Sequence, residues 1–93
     1  MIHVLIERHI APDMESTYEQ LARNTLHLAY QARGFINGET FKDMNDANVR
    51  FVMSKWRSVQ DWQLWYGCEA RKDMMNEMNL MLSTPEKVTF LEN

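Results

Sequence analysis

An aromatic cluster in residues 56–67, with the sequence WRSVQDWQLWYG, contains all three tryptophans of the chain. If a helix begins two residues after the first tryptophan, Trp62, Trp65 and Tyr66 lie near one side of it. Such a surface could bind a flat aromatic ligand, or it could fill the core of a small protein. Trp56 precedes this helix and belongs to a different surface. The spacing therefore makes Trp65 the best candidate for a pocket wall, with Trp62 and Tyr66 beside it.

A methionine-rich segment, MMNEMNLM, could offer soft thioether ligands to copper(I) because its MxxM spacing places them on one helical face. Core filling explains it better, since methionine packs irregular gaps and no cysteine or nearby histidine supports a copper site. A soft lining also suits a pocket for large flat substrates, so Met75 and Met78 are candidate substrate contacts. His3 and His9 are about 20 Å apart on an extended strand and cannot share a metal ion. We predict no metal site.

Composition and charge exclude several classes of function. The chain has 93 residues, which predicts one domain spanning residues 1–93. A formal net charge of −3 argues against a nucleic-acid partner, which needs a dense basic surface. The first ten residues, MIHVLIERHI, lack the uninterrupted apolar run of a signal peptide or a membrane span. With Cys68 as its only cysteine, the protein is expected to be cytoplasmic and not membrane-bound.

The first third of the chain predicts a strand followed by a helix. Apolar residues at alternate positions from Ile2 to Ile10 are typical of a strand, and Pro12 ends it. Asp13 is placed to cap a helix whose apolar residues recur every three or four positions. We expect this helix to end at Arg33-Gly34, with Gly34 as its left-handed cap.

The remaining residues predict a hairpin, two helical segments and a final strand. The expected strands are Phe35–Asp43 and Val49–Trp56, with a bulge at Asn37-Gly38 and a turn over residues 45–48. Ser58 and Asp61 form a capping box for a helix, Gly67 interrupts it, a second segment covers Glu69–Leu82, and the last strand is Lys87–Leu91.

This order of elements predicts an α+β protein with the ferredoxin-like βαββαβ arrangement and a four-stranded antiparallel sheet. Two helices can cover only one face of such a sheet. The other face still carries apolar residues such as Leu5, so we expect two copies to pack face to face as a homodimer.

Four segments resemble the antibiotic biosynthesis monooxygenase family: VLIERHIAP, ARGFINGET, FVMSKWRSVQDWQLW and STPEKVTFLEN. The similarity covers almost the whole chain, and the strand that ends at Trp56 and leads into the helix with Trp62 and Trp65 is its most specific part. The resemblance implies a dimeric α+β barrel with a pocket between the helices and the sheet of each subunit. The family includes cofactor-independent oxygenases that act on quinols and anthrones, a heme-degrading branch, and members without an assigned substrate.

The pocket that the resemblance implies makes Arg8 a candidate site residue. Arg8 is on the helix-facing side of the first strand, together with Ile2, Val4, Ile6 and Ile10. A buried guanidinium needs a partner. Arg8 therefore either pairs with an acidic residue or solvent, or points into the pocket and holds a substrate oxygen or an enolate-like anion.

The heme-degrading branch has an asparagine on the first strand, a tryptophan on the second helix and an iron-binding histidine about ten residues later. Alignment places Trp65 at the tryptophan, Met75 at the histidine, and Arg8 or Glu7 at the asparagine. Trp65 keeps the tryptophan, but the other two of the three positions differ in ways that disfavour heme, so the resemblance implies a protein without a cofactor.

The leading hypothesis is a cofactor-independent monooxygenase that oxidises an electron-rich phenol, quinol or anthrone-like compound with O2. Arg8 and Trp65 would be its catalytic residues, with Trp62, Tyr66, Met75 and Met78 in contact with the substrate. The competing hypothesis is a non-catalytic barrel that acts as a small-molecule carrier or a stress protein. It stays open because no general base is evident on the helix-facing side of the first strand.

Overall fold

The computed structural model describes residues 1–93, which form a four-stranded sheet with helices on one face. In chain order the elements are β1 (Ile2–His9), α1 (Glu15–Ala29), β2 (Phe35–Lys42), β3 (Val49–Trp56), α2 (Val59–Tyr66), α3 (Glu69–Met78), a 3₁₀ turn (Asn79–Met81) and β4 (Lys87–Leu91). The strand order is β2-β3-β1-β4, and all three pairings are antiparallel. The predicted ferredoxin-like α+β fold is confirmed. None of the helices is long and apolar enough to cross a bilayer.

Alternation along the two central strands separates a covered face of the sheet from an open one. On β1, Val4, Ile6 and Arg8 are buried under the helices, whereas the residues between them are only partly buried. Strand β3 repeats the pattern, with its even-numbered residues buried. We call the other side the open face; Leu5 lies opposite Met53 there, and Phe41 opposite Phe51.

The covered face holds two apolar clusters. One contains the three tryptophans with Val4, Ile6, Ala29 and Val52. The other contains Ile10, Tyr18, Leu21, Ala22 and the methionines Met75, Met78 and Met81. The tryptophan cluster lies under α2, and the methionine cluster joins α1 to α3. The methionines thus fill the core between two helices, as their spacing indicates.

Most of the predicted local features are present. The register of β2 against β3 shifts between Phe35 and Asn37, so a bulge is present at Ile36, one residue before the predicted Asn37-Gly38 pair. Ser58 caps α2, its hydroxyl accepting a hydrogen bond from the Asp61 amide at 3.2 Å. Helix α2 ends at Gly67, as expected.

The predicted ends of helix α1 were wrong. Asp13 does not cap it, because this residue has φ 68° and Met14 occupies the N-cap without a side-chain hydrogen bond. The helix also ends earlier, at Ala29, with Tyr30 as C-cap. Gly34 does have a left-handed φ of 82°, but in the loop before β2, where its carbonyl accepts the Arg57 amide at 2.8 Å. The left-handed conformation predicted for Gly34 therefore belongs to a tight loop and not to the end of the helix.

Candidate functional site

A small cavity lies between the helices and the covered face of the sheet. Its volume is about 30 Å³, and its wall is mainly apolar. This is room for a water molecule and not for an aromatic ring. The side chains that give the wall its character are Trp56, Trp62, Trp65, Ser54, Arg8 and Arg71.

The tryptophans form a fixed wall because their rings contact one another. Trp56 is fully buried at the end of β3, and its indole N–H donates to the Ser54 hydroxyl at 3.0 Å. Its ring stacks on Trp65 with centroids 6.4 Å apart and meets the edge of Trp62 at 5.6 Å. Trp56, assigned to a separate surface from its position before the helix, thus packs against both helix tryptophans. The wall is shared between strand and helix.

Arg8 is 3% exposed and borders the cavity. Its Nε donates to Glu86 at 3.0 Å, and its Nη1 donates to the Tyr18 hydroxyl at 3.3 Å. Nη2 makes no hydrogen bond within the chain, yet no buried side-chain nitrogen lacks a partner. This Nη2 is therefore reached by solvent, so Arg8 forms the expected ion pair and still keeps a donor for a ligand.

Arg71 on α3 is a second buried arginine of the cavity that sequence reasoning missed. It is 4% exposed, and its Nη2 donates to Glu86 at 2.6 Å. Its guanidinium lies over the Tyr66 ring, 4.6 Å from the centroid. A signal was present in the sequence, because Arg71 precedes Met75 by four residues and Met78 by seven and so shares their buried face.

Glu86 joins the two arginines and stays ionised. Burial raises the pKa of its carboxyl group, but the charges of Arg8 and Arg71 and their hydrogen bonds outweigh this and lower the pKa below its usual range. Two buried cations therefore share one carboxylate, and the group carries an excess positive charge beside the cavity. Glu86 cannot serve as a general base at neutral pH, since its oxygens are occupied by arginine donors.

The structure brings some of the predicted site residues together and separates others. Arg8, Trp62 and Trp65 border the cavity. Tyr66 is half exposed and borders an outer groove beside α3, as does Met75. Met78 is fully buried in the methionine cluster. The substrate contacts assigned to Tyr66, Met75 and Met78 stay predictions, and none of these residues lines the cavity.

Acidic, histidine and cysteine side chains are the groups in this chain that could hold a metal ion. No cluster of three or more such residues is placed to bind a metal. Cys68 is partly buried at the start of α3 and makes no capping hydrogen bond.

The sequence over residues 1–77 matches the model of the antibiotic biosynthesis monooxygenase family. This match covers most of the chain, so the protein belongs to that family. No curated protein matches the chain in sequence.

Solved structures share the fold at low sequence identity. An antibiotic biosynthesis monooxygenase aligns with a TM-score of 0.91 and 15% identity, covering 100% of this chain and 98% of its own. The protein Rv0793 from Mycobacterium tuberculosis gives 0.88 and 15%, covering 99% and 93%. SnoaB from Streptomyces nogalater, a cofactor-independent oxygenase, gives 0.89 and 6%, covering 99% and 91%. At these identities the likeness establishes the fold alone.

Proposed function

We propose that this protein is a cofactor-independent monooxygenase that oxidises an electron-rich aromatic compound, such as a quinol or an anthrone-like polyketide, with O2. The observation that carries the proposal is the buried guanidinium of Arg8, which makes no hydrogen bond through Nη2 and belongs to the wall of a cavity lined by tryptophans. Family membership and the likeness to SnoaB support oxygen chemistry at the level of the family.

The proposed chemistry asks the protein to stabilise an anion and exclude water. An anthrone that loses a proton becomes a carbanion, which passes an electron to O2 and combines with it as a peroxide. The peroxide anion takes up a proton, which replaces the one lost in the first step, and loss of water from this hydroperoxide gives the quinone. One oxygen atom thus enters the product and the other leaves as water. Arg8 and Arg71 supply the positive charge that favours the deprotonated substrate, and the tryptophans keep the reacting carbon dry.

No side chain at the cavity is free to act as a base, so the substrate must lose its proton without one. Glu86 is occupied by both arginines, and no histidine borders the cavity. The substrate must therefore be acidic enough to ionise next to the arginine pair. Quinols and anthrones meet this condition, whereas simple hydrocarbons do not.

Substrate entry requires the cavity to widen, because a ring does not fit in about 30 Å³. Arg71 borders both the cavity and the outer groove, whose volume is about 650 Å³. Arg71 is the residue that the two linings share, and it is held by Glu86. We infer that this side chain moves when the substrate enters.

The small volume of the cavity counts against turnover and keeps a second candidate function in place, a non-catalytic barrel that carries a small molecule. The same residues would then bind an aromatic anion without turnover. Oxygen uptake by the wild-type protein with a panel of quinols and anthrones separates the two functions. Uptake matched by a product that has gained one oxygen atom from O2 supports the oxygenase, and binding without uptake supports the carrier.

The proposal includes the absence of a cofactor and assembly as a homodimer. Met75, at the position of the family's iron-binding histidine, is 8% exposed within the methionine cluster, which supports a core role. A heme titration without a Soret shift is the expected result. The open face, with Leu5, Met53 and Phe51 at its centre, supports a dimer in which two sheets pack against each other.

A further inference from the structure

A crevice of about 300 Å³ between α1 and the edge of the sheet takes no part in the chemistry proposed for the cavity. Its walls carry Tyr18, Glu19 and Arg23 from α1, Thr40 and Lys42 from β2, and Arg50 from β3. Ala22 borders both the crevice and the internal cavity. The two spaces are therefore neighbours, separated at this point by a residue with only a methyl side chain.

Arg50 is held in this crevice in the same way that Arg8 is held at the cavity. It is 8% exposed, its Nε donates to the Ala47 carbonyl at 2.7 Å, and its Nη1 donates to Glu19 at 3.0 Å. Nη2 makes no hydrogen bond within the chain, and since no buried side-chain nitrogen lacks a partner, Nη2 is reached by solvent. Arg50 itself is part of the crevice wall. A fixed guanidinium with one open donor is suited to bind a carboxylate.

The two arginines are neighbours across the sheet. Arg8 lies directly opposite Arg50 in the β1–β3 register. Both guanidinium groups contact the Tyr18 ring, with centroid distances of 5.9 and 5.8 Å. Tyr18 thus contacts both arginines, one in the wall of the cavity and the other in the wall of the crevice.

The charge of the crevice favours an anion. Arg23, Lys42 and Arg50 provide three cations, and Glu19, already paired with Arg50, is the one carboxylate in the lining. Arg23 and Lys42 are exposed, so they can move onto a bound group. The net positive charge would attract a carboxylate from solution.

We propose that this crevice is an anion subsite, and that the ligand is an aromatic compound with a carboxylate substituent. The carboxylate binds Arg50, Arg23 and Lys42, while the ring lies toward Ala22 and the internal cavity. The assignment of the ring to a substrate rests on the proposed function, whereas the subsite itself is tested by binding alone.

The test compares 2-naphthoate with its neutral isostere 2-naphthamide by calorimetry on the whole chain. The wild-type protein is expected to bind the naphthoate about tenfold more tightly. The double variant Arg23→Gln/Lys42→Gln should remove most of this preference and leave naphthamide binding unchanged. Both substitutions are at exposed positions, so folding is not at risk. The matched control Arg57→Gln/Lys72→Gln makes the same change of charge at exposed residues outside the crevice and should keep the preference.

Equal affinity for the two naphthalenes, or an equal loss in both double variants, would overturn the subsite. The outcome is separate from that of the oxygenase proposal. A preference for naphthoate without any oxygen uptake would support the subsite and contradict the oxygenase reaction. Turnover of uncharged anthrones without a preference for naphthoate would support the reaction and contradict the subsite.

Discussion

At the scale of single residues, the site depends on one carboxylate shared between two buried arginines. Glu86 holds Arg8 from β1 and Arg71 from α3, so it ties two elements together beside the cavity. Removing a partner from a buried ion pair is costly, because the remaining charge is left without compensation.

Glu86→Gln is therefore expected to lower the free energy of unfolding by about 3 kcal/mol at pH 7, as measured by urea denaturation. The pKa of Glu86 is lowered in the folded state, so its stabilising effect is complete above its ordinary value of 4.5 and is lost as the pH falls through the folded value. The difference between the two proteins should narrow in acid below that value. A variant as stable as wild type at pH 7, or a difference that stays constant into acid, would contradict this role.

The sequence predicts Arg8 and Trp65 as site residues because strand parity and helical spacing are local properties. The ion-pair network could not be predicted in the same way, since Glu86 is 78 residues from Arg8 and 15 from Arg71. Only the fold brings these side chains within bonding distance. The alternatives posed for Arg8, an ion pair or a ligand contact, are compatible because a guanidinium has more donors than Glu86 and Tyr18 use.

At the scale of elements, the loop between α1 and β2 depends on the left-handed conformation of Gly34. A Cβ at this position would also overlap the side chain of Asp61, which follows the Ser58 cap of α2. The loop is therefore packed against the start of the second helix.

Gly34→Ala should destabilise the protein by about 2 kcal/mol in urea denaturation, from backbone strain and the clash with Asp61. Gly67→Ala is the matched control, since Gly67 has φ −92° and an added Cβ would lie 3.5 Å from its nearest neighbour, the Gln63 carbonyl. This control should be nearly neutral. Similar losses in both variants would show that Gly34 has no special conformational role.

Local chemistry explains which element boundaries could be predicted. The Ser58 cap, the break at Gly67 and the bulge near Asn37 each follow from a few adjacent residues, and the structure has all three. The predicted N-cap of α1, Asp13, was wrong because Asp13 adopts a positive φ and lies one residue before the actual N-cap. A capping residue type indicates only that a helix starts nearby, and the path of the preceding chain decides which residue takes the N-cap.

At the scale of the whole molecule, the fold followed from the order and periodicity of the elements, but the size of the cavity did not. Its volume depends on how Trp56, Trp62 and Trp65 pack together, and these residues come from a strand and a helix. Spacing along the chain gives the side on which a ring lies and not the space left around it. The open face, in contrast, follows directly from strand parity.

Phe41→Glu is expected to convert the proposed homodimer to a monomer, because it places a charge on the open face, where Phe41 is 50% exposed in the single chain. Analytical ultracentrifugation would measure the change. Leu64→Glu, at a site 63% exposed on α2, is the control and should leave the dimer intact. A wild-type monomer at all concentrations, or equal dissociation in both variants, would rule out assembly through this face.

In the proposed reaction, Arg8 stabilises a substrate anion beside the tryptophan wall. Oxygen consumption with an anthrone, measured for wild type, Arg8→Met and the exposed control Arg57→Met, tests this role of Arg8. Glu86 keeps Arg71 as its partner in the Arg8 variant, so the carboxylate is not left unpaired. We predict turnover by wild type and by Arg57→Met, and a rate about 100-fold lower in Arg8→Met. No oxygen uptake by the wild-type protein, or an unchanged rate in Arg8→Met, would show that Arg8 does not have this role.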